Sequence, residues 1–153
     1  IMTVEHDIPD VRLKRVYETA TPDDGLRVLV DRLWPRGMRK TDMKMDLWLK
    51  DVAPSPDLRR WFGHDPAHWD EFRLRYRHEL SHGNAEIARL ADLVRNGRVT
   101  LLYAAHDALH NHALVLRDFL CDAATALTPN RKRKDQAEGD ASSPGVRTYP
   151  RED

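Results

Sequence analysis

Two short stretches of this chain concentrate the residue types that can do chemistry. The first is Asp31-Arg32-Leu33-Trp34-Pro35-Arg36-Gly37; the second runs from Tyr103 through His106 to Asn111-His112. Asp31 and His112 form an acid/base pair if they come within hydrogen-bond reach. Arg32 and Arg36 carry planar forks that match carboxylate or phosphate. Trp34 offers a flat face for a ring or base, and Tyr103 and Asn111 offer polar tips for a ligand. A helix starting near Asn111 adds free N–H groups and a partial positive charge, which again favour an anion. The expected chemistry is therefore recognition of a small anionic metabolite or nucleotide, with Asp31 and His112 as the candidate catalytic pair.

Other chemistries find less support. His106, Asp107, His110 and His112 crowd together, and His64 and His68 stand four apart, which invites a divalent ion. His110 and His112, however, fall on different faces of a helix, and His64-Asp65-Pro66 reads first as a helix start, so no metal site is expected. No cofactor is expected either. The Trp61, Phe62, Trp69, Phe72 and Tyr76 set has the spacing of a helix core rather than of a cofactor box. No nucleophile elbow and no glycine-rich loop after a strand is present. Cys121 is the single cysteine, so no internal disulfide or thiolate cage forms, and its place beside Phe119 and Leu120 marks it as a small core residue. Lys and Arg number 25, as do Asp and Glu. That balance lowers the expectation of a dedicated nucleic-acid binder, which draws affinity from a basic excess.

The elements that position these residues follow from local pattern. Val11–Tyr17 reads as a strand. Thr21-Pro22-Asp23-Asp24-Gly25 is a turn, and Val28-Leu29-Val30 is the apolar centre of a strand covered on both faces. Met43, Leu47, Trp48 and Val52 have helical spacing. Ser55-Pro56 starts a helix that Gly63 ends, Asp65-Pro66 starts a longer one closed at His82-Gly83, and Asn84 caps a third that ends at Gly97. Val99–Ala104 is a second buried strand, followed by a final helix carrying Leu114, Val115, Leu116, Phe119 and Leu120. These elements predict an α/β fold with a small, mainly parallel sheet of three or four strands flanked by helices, in a Rossmann-like three-layer arrangement. The link between the first two strands is too short for a helical crossover, so that pair is open to an antiparallel arrangement. Ligands of such sheets bind beyond the carboxyl ends of the strands, where both chemical stretches lie.

The length of 153 residues fits one domain, expected over residues 11–127, after a flexible leader at 1–10. A disordered basic and polar tail is expected at 128–153, containing Arg131-Lys132-Arg133-Lys134. No apolar stretch approaches a membrane span and no signal peptide is visible, which points to the cytoplasm and to no membrane partner. The oligomeric state is left open, as is whether the chain is an enzyme.

Arg27–Gly37, Ala53-Pro54-Ser55-Pro56-Asp57-Leu58-Arg59, Tyr76-Arg77-His78-Glu79-Leu80, and Leu101-Leu102-Tyr103-Ala104-Ala105 leading to Asn111-His112-Ala113 recur in an order and spacing that carry a family signature. Over about residues 11–120 the chain resembles the YeaO-like branch of a bacterial domain-of-unknown-function family. The resemblance implies a compact cytoplasmic α/β domain and no established activity. A sister branch of that family has a Cys-His-Arg triplet where this chain has Asn111-His112-Ala113, so thiol chemistry is not carried over. Two alternatives to anion binding stand beside it. One is a nucleic-acid-associated or regulatory protein using the basic loop 36–44 and the tail at 131–134. The other is a protein-interaction module with an apolar patch near Trp48 or Trp61.

Overall fold

A computed structural model describes residues 9–137, with side chains described as far as residue 125. Four strands form one sheet: β1 (Val11–Arg15), β2 (Leu26–Leu29), β3 (Leu47–Trp48) and β4 (Val99–Tyr103). The helices are α1 (Pro56–Phe62), α2 (Trp69–His82), α3 (Ala85–Asn96) and α4 (His112–Ala137). The strand order is β1-β4-β2-β3, and every pair is parallel. The fold is thus the expected small α/β sheet flanked by helices.

Pleating divides the strand residues between two cores. Val28, Val30, Val99, Leu101 and Tyr103 face Phe72, Tyr76, Leu80, Leu90, Leu116 and Leu120 of the helices. Leu29 and Leu102 face Val16 and Met43, with Trp34, Met38, Met45 and Trp48 packed around them. The third layer is therefore coil and one short 3-10 turn (Lys40–Asp42) from residues 34–48 rather than a second bank of helices. Every residue of β4 is buried, its one polar side chain, Thr100, donating its hydroxyl to Asp24 O at 2.7 Å.

Three sequence expectations change. The first two strands are not an antiparallel pair, because β4 inserts between them with Leu101 in register with both Leu13 and Val28. The chain returns between them through coil and the 3-10 turn Pro22–Asp24. Gly25 has φ 66°, and a Cβ there would lie 2.5 Å from the Arg98 carbonyl oxygen, so only glycine fits. The helical spacing over 43–52 does not make a helix. The edge of β2 takes this backbone instead, with Asp46 N–H donating to Arg27 O at 2.7 Å and Leu49 N–H to Leu29 O at 3.0 Å. Leu47 then faces the helices and Trp48 the opposite core, a period-two alternation that the same apolar positions also satisfy. Finally, α4 continues through residues 128–137, where a tail was expected to begin. The remainder of that tail, 138–153, and residues 1–8 of the leader lie outside the described residues.

A buried ionic knot ties the returning loop to the sheet. The Asp24 carboxylate meets Lys14 Nζ at 2.9 Å, receives the Arg27 guanidinium, and accepts the Thr21 N–H and hydroxyl, each at 3.0 Å. The bonds from Lys14, Thr21 and Arg27 hold this carboxyl well below its ordinary value despite burial. A depressed folded-state value makes the contribution complete above about pH 4 and removes it progressively as pH falls. Asp24→Asn should lower stability at pH 7, and the gap to the parent should narrow at pH 3. Urea denaturation at the two pH values checks this; a gap that stays constant would assign the loss to packing alone.

Candidate functional site

The carboxyl ends of β2 and β4 lie side by side, and the chain leaves them at Val30-Asp31 and Ala104-Ala105. Asp31 joins the two exits, its Oδ2 accepting the Ala104 N–H at 3.0 Å. His112, the first residue of α4, approaches from the helix side, with Nε2 3.0 Å from Val30 O and 3.3 Å from Asp31 Oδ1. The Val30 carbonyl only accepts, so Nε2 carries a proton and donates to it, while Asp31 Oδ1 is a close neighbour outside hydrogen-bond geometry. The expected acid/base pair is therefore brought together. Asp31 Oδ1 is sealed from solvent and has no hydrogen-bond partner among the described residues. Burial pushes the Asp31 carboxyl up from its ordinary value, against the opposing pull of His112, the Ala104 N–H, Arg59 and His64.

That shift has a testable sign. A raised folded-state value means that ionising Asp31 costs the folded state more than the unfolded one, so its contribution turns unfavourable as pH rises above about 4. Asp31→Asn keeps an acceptor for Ala104 and removes the charge. The variant should gain stability relative to the parent between pH 4.5 and pH 7. Denaturant titrations at both values measure it, and a difference independent of pH would contradict a buried ionised carboxylate.

Around this pair opens a pocket of about 500 Å³, a size suited to a small metabolite or mononucleotide. Trp34, Pro35, Phe62, Phe72, Ala104 and Ala105 supply its apolar walls, and Arg36, Arg59, His64 and His106 bring polar groups to it. Arg36 is exposed, and its guanidinium has no partner among the described residues; only its carbonyl is used, by the Tyr17 hydroxyl at 3.0 Å. Arg59, on the exposed side of α1, likewise has no hydrogen-bond partner for its guanidinium among the described residues. Asp107, the other carboxylate of the lining, is committed to His110 Nδ1 at 2.8 Å and to the Leu109 N–H at 2.8 Å.

The remaining candidates divide. Arg32 reaches the lining, but its guanidinium is occupied by Ala53 O, Pro54 O and Asp51, all at 3.3 Å, so it clamps the loop before α1. Trp34 lines one wall, held by donation from Nε1 to Met38 O at 2.6 Å and by an edge-on contact with Trp48. Asn111 is buried and caps α4: its Oδ1 accepts the Leu114 N–H at 3.1 Å and its Nδ2 donates to Asp107 O at 2.9 Å. Tyr103 does not line the pocket. It shares the pleat parity of Leu101 and is buried under the helices, where burial raises its phenol. Arg59 and His64 were missed by sequence reasoning; a signal existed in the Ser55-Pro56 cap, which fixes where α1 begins but not which rim it crosses.

His64, His106 and His112 border the pocket without forming a three-ligand cluster among the described residues. His68 stacks on Trp61 with centroids 4.3 Å apart while His64 lines the pocket. Among the described residues, no group of three or more His, Cys, Asp or Glu is placed to hold a metal ion.

A family model described as the inactive DUF488-N3 subclade matches residues 10–146. The chain belongs to that subclade. The uncharacterized protein YeaO of Escherichia coli K12 is 46% identical over 111 residues, covering 72% of this chain and 96% of YeaO. The uncharacterized protein Rv3073c of Mycobacterium tuberculosis H37Rv is 49% identical over 110 residues, covering 72% of this chain and 92% of its own length. No solved structure matches. Within this DUF488-N3 chain, the positions flanking His112 carry neither a thiol nor a guanidinium: Asn111 caps α4 at the pocket lining, and Ala113 is fully buried in the core. No helix among the described residues is long and apolar enough to cross a membrane.

Proposed function

We propose that this chain binds a small phosphorylated metabolite, of mononucleotide size, in the pocket beyond β2 and β4. The observation that carries the reading is the pair Arg36 and Arg59: two guanidinium groups with no hydrogen-bond or ion-pair partner among the described residues line the same pocket, while Asp31 is held by the Ala104 N–H beside His112 and Asp107 by His110. Unpaired forks of this kind suit a phosphate, and the apolar walls suit a ring beside it. Binding without turnover is the favoured form. Asn111 and Ala113 provide neither the thiol nor the guanidinium of the sister branch's Cys-His-Arg triplet, and the subclade is described as inactive. The half-buried single cysteine and the lack of a membrane-crossing helix among the described residues support a place in the reducing cytoplasm.

The test is a thermal-shift screen of purified protein against inorganic phosphate, sugar phosphates, nucleoside monophosphates and a mixed-sequence oligonucleotide. A ligand that binds only the folded state raises the melting temperature by mass action. A shift with a phosphorylated small molecule is the expected result. A shift with the oligonucleotide alone, strongly weakened by salt, would replace this reading by nucleic-acid association.

A further inference from the structure

The last turn of α2 reads His78-Glu79-Leu80-Ser81-His82. Residues four apart share one helix face, and both imidazoles are exposed with ring centroids 4.6 Å apart, edge to face at 73°. His82 Nδ1 lies 2.9 Å from the His78 carbonyl oxygen. A carbonyl only accepts, so Nδ1 carries the proton and the lone pair sits on Nε2, the tautomer in which a second-shell carbonyl presents a metal-ligating histidine. The His78 ring makes no hydrogen bond to any described residue. Helix α2 also ends here, so its partial negative pole faces whatever binds, which favours a cation.

We propose that His78 and His82 form a two-histidine site for a borderline divalent cation, Zn(II), Ni(II) or Cu(II), with water in the remaining positions. Imidazole nitrogen selects these ions over Mg(II) and Ca(II), which take oxygen. The string has the His-Glu-x-x-His form of zinc hydrolases, in which the glutamate serves as general base. Here Glu79 is used otherwise: its carboxylate accepts the Ser55 N–H at 2.9 Å and the Ser55 hydroxyl at 2.6 Å, bracing the start of α1. No third ligand among the described residues completes a cage. The site therefore holds an exchangeable ion and does not hydrolyse. It stands apart from the strand-end pocket, since His78 lines the open groove between α1 and α2 with Leu74 and Glu71.

Isothermal titration of the full chain with zinc and nickel chlorides, and with magnesium chloride as control, tests the site. The expected result is one zinc or nickel ion bound per chain and no magnesium. His78→Ala and His82→Ala should each weaken binding on the order of a hundredfold, because a tethered pair becomes a single ligand. The variants' melting temperatures in chelator should match the parent's, since both side chains are exposed; His82→Gln supplies a second variant if His82→Ala perturbs the helix end. Unchanged affinity in both histidine variants overturns the proposal. So does loss of binding in His64→Ala or His110→Ala instead, or equal binding of magnesium.

Discussion

Replacing Arg36 and Arg59 together by alanine is expected to weaken binding of a phosphorylated ligand by two to four orders of magnitude and to leave the fold intact. A hydrogen bond to a charged group contributes about 1.5–3 kcal/mol. Two lost together remove about 3–6 kcal/mol, and each 1.4 kcal/mol is roughly tenfold in affinity. The fold should survive because neither guanidinium has a hydrogen-bond partner among the described residues, and exposed substitutions of this kind usually stay within about 0.5 kcal/mol. Arg59 pulls the Asp31 carboxyl down against its burial, so the double variant should also raise the Asp31 carboxyl further. Titration calorimetry with the ligand from the thermal screen gives the affinity, and circular dichroism gives the fold. Arg32→Ala provides the contrast: its fork is bound to Ala53, Pro54 and Asp51, so stability should fall. Parent-like affinity in the double variant would remove the basis for anion recognition at this rim.

The outcome at Arg32, Arg36 and Arg59 shows what a sequence can and cannot carry about such a site. Asp31 and His112 were legible because each sits just beyond an apolar run long enough to be a buried strand, or at the start of the helix that follows one. Two parallel neighbours then bring those ends to the same rim. Tyr103 follows a rule that was also available. Its parity with Leu101 sends it under the helices, so the end of a strand is not the same as the rim of a pocket. Arg32 and Arg36 look alike in sequence, and only the packed loop at Ala53-Pro54, a long-range neighbour, separates a structural clamp from a free charge. Arg59 depends on where α1 docks, which no local pattern encodes.

The fold divides along the same line. Caps are local chemistry, and Ser55, Asn84 and Gly63 mark helix boundaries where the structure has them. Strands β2 and β4 declare themselves by continuous burial. Strand β3 does not, because Met43, Leu47, Trp48 and Val52 satisfy a period of 3.6 as well as an irregular edge, and the exposed hydrogen-bonding edge of β2 decides between them. The insertion of β4 between β1 and β2 is likewise decided by distant pairing. A short link between strands excludes a helical crossover without requiring the two strands to be adjacent.

Phe72 links this core to the pocket, and Phe72→Ala should cost about 3–5 kcal/mol of folding stability. The ring is fully buried, stacked on Phe62 with centroids 4.3 Å apart and flanked by Trp69 at 5.8 Å and Tyr76 at 5.7 Å. A loss of that size is a large share of the 5–15 kcal/mol typical of a domain. Phe72 also belongs to the pocket lining, so the space left by the ring should be continuous with the pocket and apolar. Voids of that character take up small aromatic guests, so indole or benzene should raise the melting temperature of Phe72→Ala and leave the parent unchanged. Phe72→Leu retains part of the ring volume and supplies a folded background if the alanine variant does not fold. Urea denaturation of both variants measures the cost. A loss below about 1 kcal/mol, with no rescue by an aromatic guest, would mean that this ring neither anchors the helical core nor floors the pocket.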